Sequence, residues 1–211
     1  DFVITQLSRA YFTTMIAFLD NLNEYQYHGV FMALAWLVIV PLAIISSRYT
    51  RCFVGWFYLH ATLQIAALGV TIYSFYLALK LPSVQGEHFS STHGQLGLAI
   101  LTIMTLQILY ALFRPSFDKE AGKSHRRVFW ESNHKIVGFL LMLLAFYNVH
   151  EGMEVDEAET TDSQNIWYMI IVASIFGLFF VLELAKCFCF KSQAKSDDAF
   201  SQRVVNYGTD A

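Results

Sequence analysis

Charge is scarce in this sequence. Of its 211 residues only 15% are Asp, Glu, Lys or Arg, while 55% are hydrophobic and 16% aromatic. A soluble domain carries about 25% charged residues, so the deficit excludes an ordinary water-soluble fold. The net charge of −3 says little by itself, because here charge matters by location, and no nucleic-acid partner is expected. Cysteine is also scarce. Cys52, Cys187 and Cys189 all fall on the reducing side in the orientation derived below, so no structural disulfide is expected. Cys187 and Cys189 read either as palmitoylation sites beside the last span or as ordinary juxtamembrane residues. The sequence has no long repeat and no low-complexity tract. It also has no basic leader with a small-residue cleavage site, so no signal peptide is expected.

What the sequence does have is apolar runs of roughly 20 residues, the length a helix needs to cross ~30 Å of hydrocarbon. Five such spans are expected, over about His28–Ser47, Val54–Leu79, Thr92–Phe113, Phe129–Val149 and Ile166–Lys186. They end at polar or turn-forming residues: Arg48 and Arg51, Pro82 with Gly86, Arg114-Pro115, and Asn165. Pro41 lies inside the first span, where a kink is tolerable because neighbouring helices satisfy the freed carbonyl. The fold class is therefore an all-α integral membrane protein. Residues 28–190 form the helical bundle, and residues 191–211 form a cytoplasmic tail. Residues 1–27 stand apart. Phe2 to Leu19 is moderately apolar but carries Arg9 at its middle, and an arginine at a helix centre costs about 2.5–3.5 kcal/mol of insertion. An interfacial amphipathic helix, or the stub of a larger extracellular region, fits this segment better than a sixth span.

Loop charge sets the orientation. The loop after the third span holds Arg114, Lys119, Lys123, Arg126 and Arg127. The loop after the fourth holds Glu151, Glu154, Asp156, Glu157, Glu159 and Asp162 and no base. Arg48 and Arg51 follow the first span, and Lys186 and Lys191 follow the fifth. All basic connections thus fall on one side, which the positive-inside rule makes cytoplasmic. The C-terminus is expected there, in the plasma membrane or an endomembrane vesicle.

Four of the seven histidines lie in the spans, one in each of the first four. At ~1.5 Å rise per residue, His28 and His93 sit at the outer face, while His60 and His134 sit at a matching depth nearer the inner face. Two imidazoles from different helices suit the two axial positions of a haem iron. Each layer supplies two nitrogens and no acid, which does not suit catalytic zinc. Gly97 follows His93 by four residues and Gly138 follows His134 by four, on the same helix face, where a missing side chain makes room for a flat macrocycle. Gly69 stands in a similar relation to His60. The reading is two bis-histidine haem sites stacked across the membrane. The rivals are a quinol-oxidising di-haem subunit of a larger complex and a haem-free transporter using its histidines as proton relays. His88, His125 and His150 lie in or beside loops.

The string HGVFMALAWLVIVPLAIISSRY, then WFYLH, STHGQLG, RP, RVFWESNHKIVGF and NVHEG, resembles the cytochrome b-561 family over about residues 25–190. It looks closest to the branch in which this core follows an extracellular DOMON domain, including ferric-chelate-reductase-like proteins. The resemblance implies two haem b groups, one on His28 and His93 and the other on His60 and His134. It implies an ascorbate-dependent oxidoreductase: cytoplasmic ascorbate gives electrons, and monodehydroascorbate or a ferric chelate receives them outside. Membrane lipid surrounds it, and a homodimer is the family's form. Residues 1–27 hold no DOMON domain, which puts the acceptor in doubt. Because ascorbate is an anion, its site should be basic. Arg127, three residues before Trp130 in RVFW, is the first candidate, followed by Arg48 and Arg126; His150 is the candidate for contact with the outer substrate.

Overall fold

The computed structural model describes residues 22–51, 54–81, 89–116, 124–155 and 161–209, with residues 4–6, 9, 12–14 and 17; it describes no side chains beyond Lys186. Five helices are long and apolar enough to cross a membrane: α1 Glu24–Tyr49, α2 Trp56–Ala78, α3 Thr92–Leu112, α4 His125–Met153, and α5 from Asp162. No strand occurs among the described residues. α5 does not stop at the end of its apolar run but continues to Thr209. Of residues 1–21, the few described ones are helical and exposed, a property shared by the interfacial and spanning readings, while Glu24–Tyr27 already belong to α1. The rest of residues 1–21 lies outside the described residues, as do His88, Cys52 and the loop lysines.

Local chemistry explains the helix starts. Asn23 accepts from the Gln26 amide at 2.8 Å and gives its own amide to the Gln26 side chain at 3.1 Å, a reciprocal cap that opens α1. Ser91 accepts from the Gly94 amide at 3.1 Å to open α3, and Ser124 accepts from the Arg127 amide at 3.3 Å to open α4. The disruption expected at Pro41 appears as a π-helical stretch over Leu34–Ile39. Proline has no N–H to give and its ring crowds the preceding turn, and a wider turn just before it absorbs the mismatch.

α1, α2, α3 and α4 pack in a closed ring, each on its sequence neighbour and α1 on α4; α5 lies outside against α1 and α4. Ala35, Ala43 and Ala67 are fully buried, and such small residues let membrane helices approach closely. Ala35 and Ala67 form one apolar core with Trp36, Val40, Ile100, Met104, Leu141, Met142, Ala145 and Phe146. Large apolar residues such as Ile65, Ile136, Phe139 and Leu140 point outward, the reverse of a soluble protein and the arrangement hydrocarbon solvent requires. Polar contacts tie α5 to the ring. Glu183 accepts from Arg48 and from the Tyr49 hydroxyl (2.5 Å for the latter), and the Tyr168 hydroxyl donates to the Phe146 carbonyl.

Candidate metal centres

Two histidine pairs face each other across diagonals of the ring. His28 of α1 and His93 of α3 have ring centres 6.0 Å apart with planes at 87°. His60 of α2 and His134 of α4 have ring centres 6.4 Å apart at 77°. The four residues that the sequence paired by depth are thus brought together as those pairs. Along every helix the apolar core residues lie between the two histidine positions, so the bundle carries one pair toward each end and a hydrocarbon-like layer between them.

Backbone carbonyls fix three of the four rings. His28 Nδ1 lies 2.8 Å from the Ser74 carbonyl, His60 Nδ1 2.8 Å from that of Ala43, and His93 Nδ1 3.0 Å from that of Asn148. A carbonyl only accepts, so each Nδ1 carries the proton and Nε2 keeps its lone pair. Metal-binding imidazoles are held this way, with the far nitrogen donating to a carbonyl or carboxylate. Ser74, fully buried, adds a second hold: its hydroxyl donates to the His28 carbonyl at 2.8 Å and stands 3.0 Å from His28 Nδ1. His134 is the exception. Its Nδ1 is buried and has no hydrogen-bond partner among the described residues. The ring instead stacks on Trp130 at 5.1 Å and 5°.

The glycines four residues after His93 and His134 face the neighbouring helix with room for an ordinary contact. A Cβ on Gly97 would stand 3.5 Å from the Asn148 side chain, and one on Gly138 would stand 3.5 Å from that of Gln107. Both therefore lie at the α3–α4 seam. A Cβ on Gly69 would meet nothing within 4 Å. The tightest glycine is one the sequence reading passed over. A Cβ on Gly152 would fall 2.7 Å from Cε1 of His93, so the end of α4 presses its bare backbone on that ring.

The substrate candidates divide. Arg127 is 5% exposed. Its Nε lies 2.8 Å from Glu131, its Nη1 donates to the Pro115 carbonyl, and its guanidinium stands 6.0 Å from the centre of the Trp130 ring. It is committed to the protein and does not open to the surface. Arg48 is half-exposed and bound to Glu183, whereas Arg126 is exposed. Arg51 and Arg114 are exposed as well, lying over Trp56 and Phe57. Burial lowers the Arg114 pKa, and the charges of Arg127 and Arg51 push the same way against Glu131. Arg114 thus lies within reach of Arg127, Arg51 and Glu131. At the other end His150 sits beside Tyr168, ring centres 6.1 Å apart. Ser74, Asn148, Gln107 and Gly152 escaped the sequence reading because each acts across helices or through its backbone. Trp130 alone left a trace there, four residues before His134.

Haem fits these residues. An imidazole nitrogen bonds a first-row metal at roughly 2.0–2.1 Å, so two nitrogens on opposite sides of one ion are about 4 Å apart and their ring centres about 6 Å. Both observed separations match. Among the described residues no group of three or more His, Cys, Asp or Glu is placed to hold a bare ion, whereas a macrocycle brings its own in-plane donors and asks the protein for two.

The family model described as eukaryotic cytochrome b561 matches residues 27–159. A cytochrome b561 and DOMON domain-containing protein of Arabidopsis thaliana is 30% identical over 142 residues, covering 66% of this chain and 34% of that protein. A second protein of that description from the same plant is 29% identical over 174 residues, 81% of this chain and 42% of its own length. A Xenopus laevis protein named "Putative ferric-chelate reductase 1" is 25% identical over 195 residues, 87% of this chain and 32% of that one. The chain therefore spans less than half the length of these curated relatives. No solved structure matches it.

Proposed function

The chain belongs to the eukaryotic cytochrome b561 family, and from that premise we propose that it carries electrons across a membrane with two b-type haems. His28 and His93 would hold one, and His60 and His134 the other. The observation that carries this reading is the facing of the two imidazole pairs at 6.0 and 6.4 Å, with carbonyls on the far nitrogens of three rings. Bound haem supplies a reversible one-electron centre at each height. The chain's own residues do the rest. A haem held by two histidines would have no open position for oxygen, so the paired imidazoles would favour electron exchange over oxygen binding. The apolar core between the pairs keeps water and protons from following the electrons.

The Arg-rich end is cytoplasmic in this proposal, on the positive-inside rule, and the C-terminus lies with it. Arg126, Arg51 and Arg114, exposed there, and half-exposed Arg48 form a positive surface for the ascorbate monoanion, which gives up one electron and one proton to become monodehydroascorbate. Arg127 supports that surface from beneath. On the opposite face, His150 with Glu151 and Glu154 marks where a ferric chelate, or monodehydroascorbate, is reduced by one electron. Residues 28–190 act as the electron-carrying domain, residues 1–27 as an interfacial segment, and residues 191–211 as a cytoplasmic extension. A DOMON domain, present in the relatives' names, would be the natural outer partner, and a homodimer the assembly.

The test uses the purified protein in vesicles loaded with ascorbate, with ferric chelate or monodehydroascorbate radical supplied outside. A Soret band, reduction of the haem by internal ascorbate and consumption of the external acceptor are expected. Absence of a Soret band ends the haem reading. Reduction by a quinol but not by ascorbate replaces the donor.

A further inference from the structure

Three of the four candidate ligands obey one rule and the fourth breaks it. In the α1–α2 hairpin the anchoring is reciprocal: His28 donates to a carbonyl of α2, and His60 donates to a carbonyl of α1. In the α3–α4 hairpin His93 donates to the Asn148 carbonyl of α4. The antiparallel register that sets His93 opposite Asn148 sets His134 opposite Gln107. There the polarity is inverted. Gln107 Nε2 donates to the carbonyl of His134 at 2.6 Å, and the His134 ring receives no anchor from α3.

What does touch the ring is Trp130. One helical turn earlier on the same face of α4, its indole lies nearly parallel to the imidazole, 5.1 Å away. The indole is itself held. Its Nε1 donates to the Tyr110 carbonyl at 3.1 Å. The Tyr110 ring stacks on it at 5.8 Å and 21°. The Arg127 guanidinium lies 6.0 Å from its centre, and Glu131 and the Pro115 carbonyl fix that guanidinium. Stacked aromatic rings and a cation on an indole attract one another beyond simple burial, and together they hold a plane that a hydrogen bond holds elsewhere.

We propose that Trp130 is the positioning residue of the His60–His134 centre. The stack Tyr110–Trp130–His134, backed by Arg127, fixes the plane of the His134 ring where a carbonyl fixes each of the other three. This rests on the haem reading above. Two consequences follow from the chemistry. A ligand whose far N–H has no acceptor is a weaker donor to iron than one bound to a carbonyl, so this centre is tuned differently from its partner. The ring orientation also depends on an indole three residues from Arg127, which links His134 to the residues of the Arg-rich surface.

The experiment is low-temperature EPR with redox titration of the purified full chain and of the Trp130→Phe and Trp130→Ala variants. The centre in question is the one whose signal is lost in His60→Ala, and the other centre in the same molecule reports whether the fold is intact. In Trp130→Ala its g-values are expected to move and its midpoint potential to fall, as water or a carbonyl reaches Nδ1, with the His28–His93 signal unmoved. Trp130→Phe keeps an aromatic plane and is expected to restore most of the wild-type signal. Unchanged g-values and potential in Trp130→Ala overturn the proposal, as does an equal displacement of both centres. Failure of the underlying reading looks different: the wild-type protein itself would show no low-spin bis-imidazole signal.

Discussion

The two ends of the bundle make the same imidazole pair by different means. At the His28–His93 end both rings give their Nδ1 proton to carbonyls, Ser74 holds His28 twice, and the backbone of Gly152 lies against His93. At the His60–His134 end one ring has a carbonyl and the other has an indole. The surroundings differ in sign as well. Glu151 lies near His93 of the first pair, and Arg114 and Lys135 lie near His134 of the second. A carbonyl hold is short and directional and leaves a ring little freedom; a stacked hold is broad and shared among several side chains. The first end is therefore built to be rigid, and the second is coupled to the residues around the surface where an anion would arrive.

Substitutions can break that comparison one end at a time. The largest effect is expected from ligand loss. His134→Ala or His60→Ala should remove about half of the bound haem and abolish reduction by ascorbate, while the spectrum of the His28–His93 centre persists; pyridine haemochrome quantitation reads it. Full haem content in either variant would contradict the pairing. Next comes Gly152→Ala. Its methyl would fall 2.7 Å from the His93 ring and must displace the ring or the end of α4. Haem affinity at that end should fall about 10-fold or more, the range seen when support around a metal ligand is lost, with the other centre unaffected. Retention of both centres at wild-type affinity would mean that the end of α4 yields easily, and that the contrast in rigidity between the two ends is wrong. The smallest effect is expected from Glu183→Gln, which removes a half-exposed ion pair between α5 and α1. It should lower stability by roughly 0.2–1 kcal/mol, read as a small fall in thermal midpoint, with both haem spectra unchanged because α5 lies outside the ring that holds the histidines.

Much of this was legible in the residues alone. Span number and helix class follow from runs of about 20 apolar residues, since hydrocarbon leaves a backbone no other way to satisfy its hydrogen bonds. The pairing of His28 with His93 and of His60 with His134 followed from counting residues along helices of known rise, because in an antiparallel bundle depth is a linear function of position. The glycines show a limit of that counting. Gly97 and Gly138 face side chains of the neighbouring helix at ordinary contact distance, and nothing in a one-dimensional spacing says which neighbour a bare face meets. Arg127 shows the same limit. Its place in a basic loop suggested an open anion site, while Glu131 one turn on and the Pro115 carbonyl draw its guanidinium inward.

Composition and periodicity by themselves determined that the chain is a helical membrane bundle with imidazoles at two depths, because both properties are set by each helix taken singly. Only the tertiary structure decided what holds each imidazole. Ser74, Ala43 and Asn148 anchor through main-chain carbonyls that every residue possesses, so no side-chain pattern marks them in advance. The departure of His134 from that scheme arises from the register of α3 against α4, a relation between two helices that neither one encodes alone.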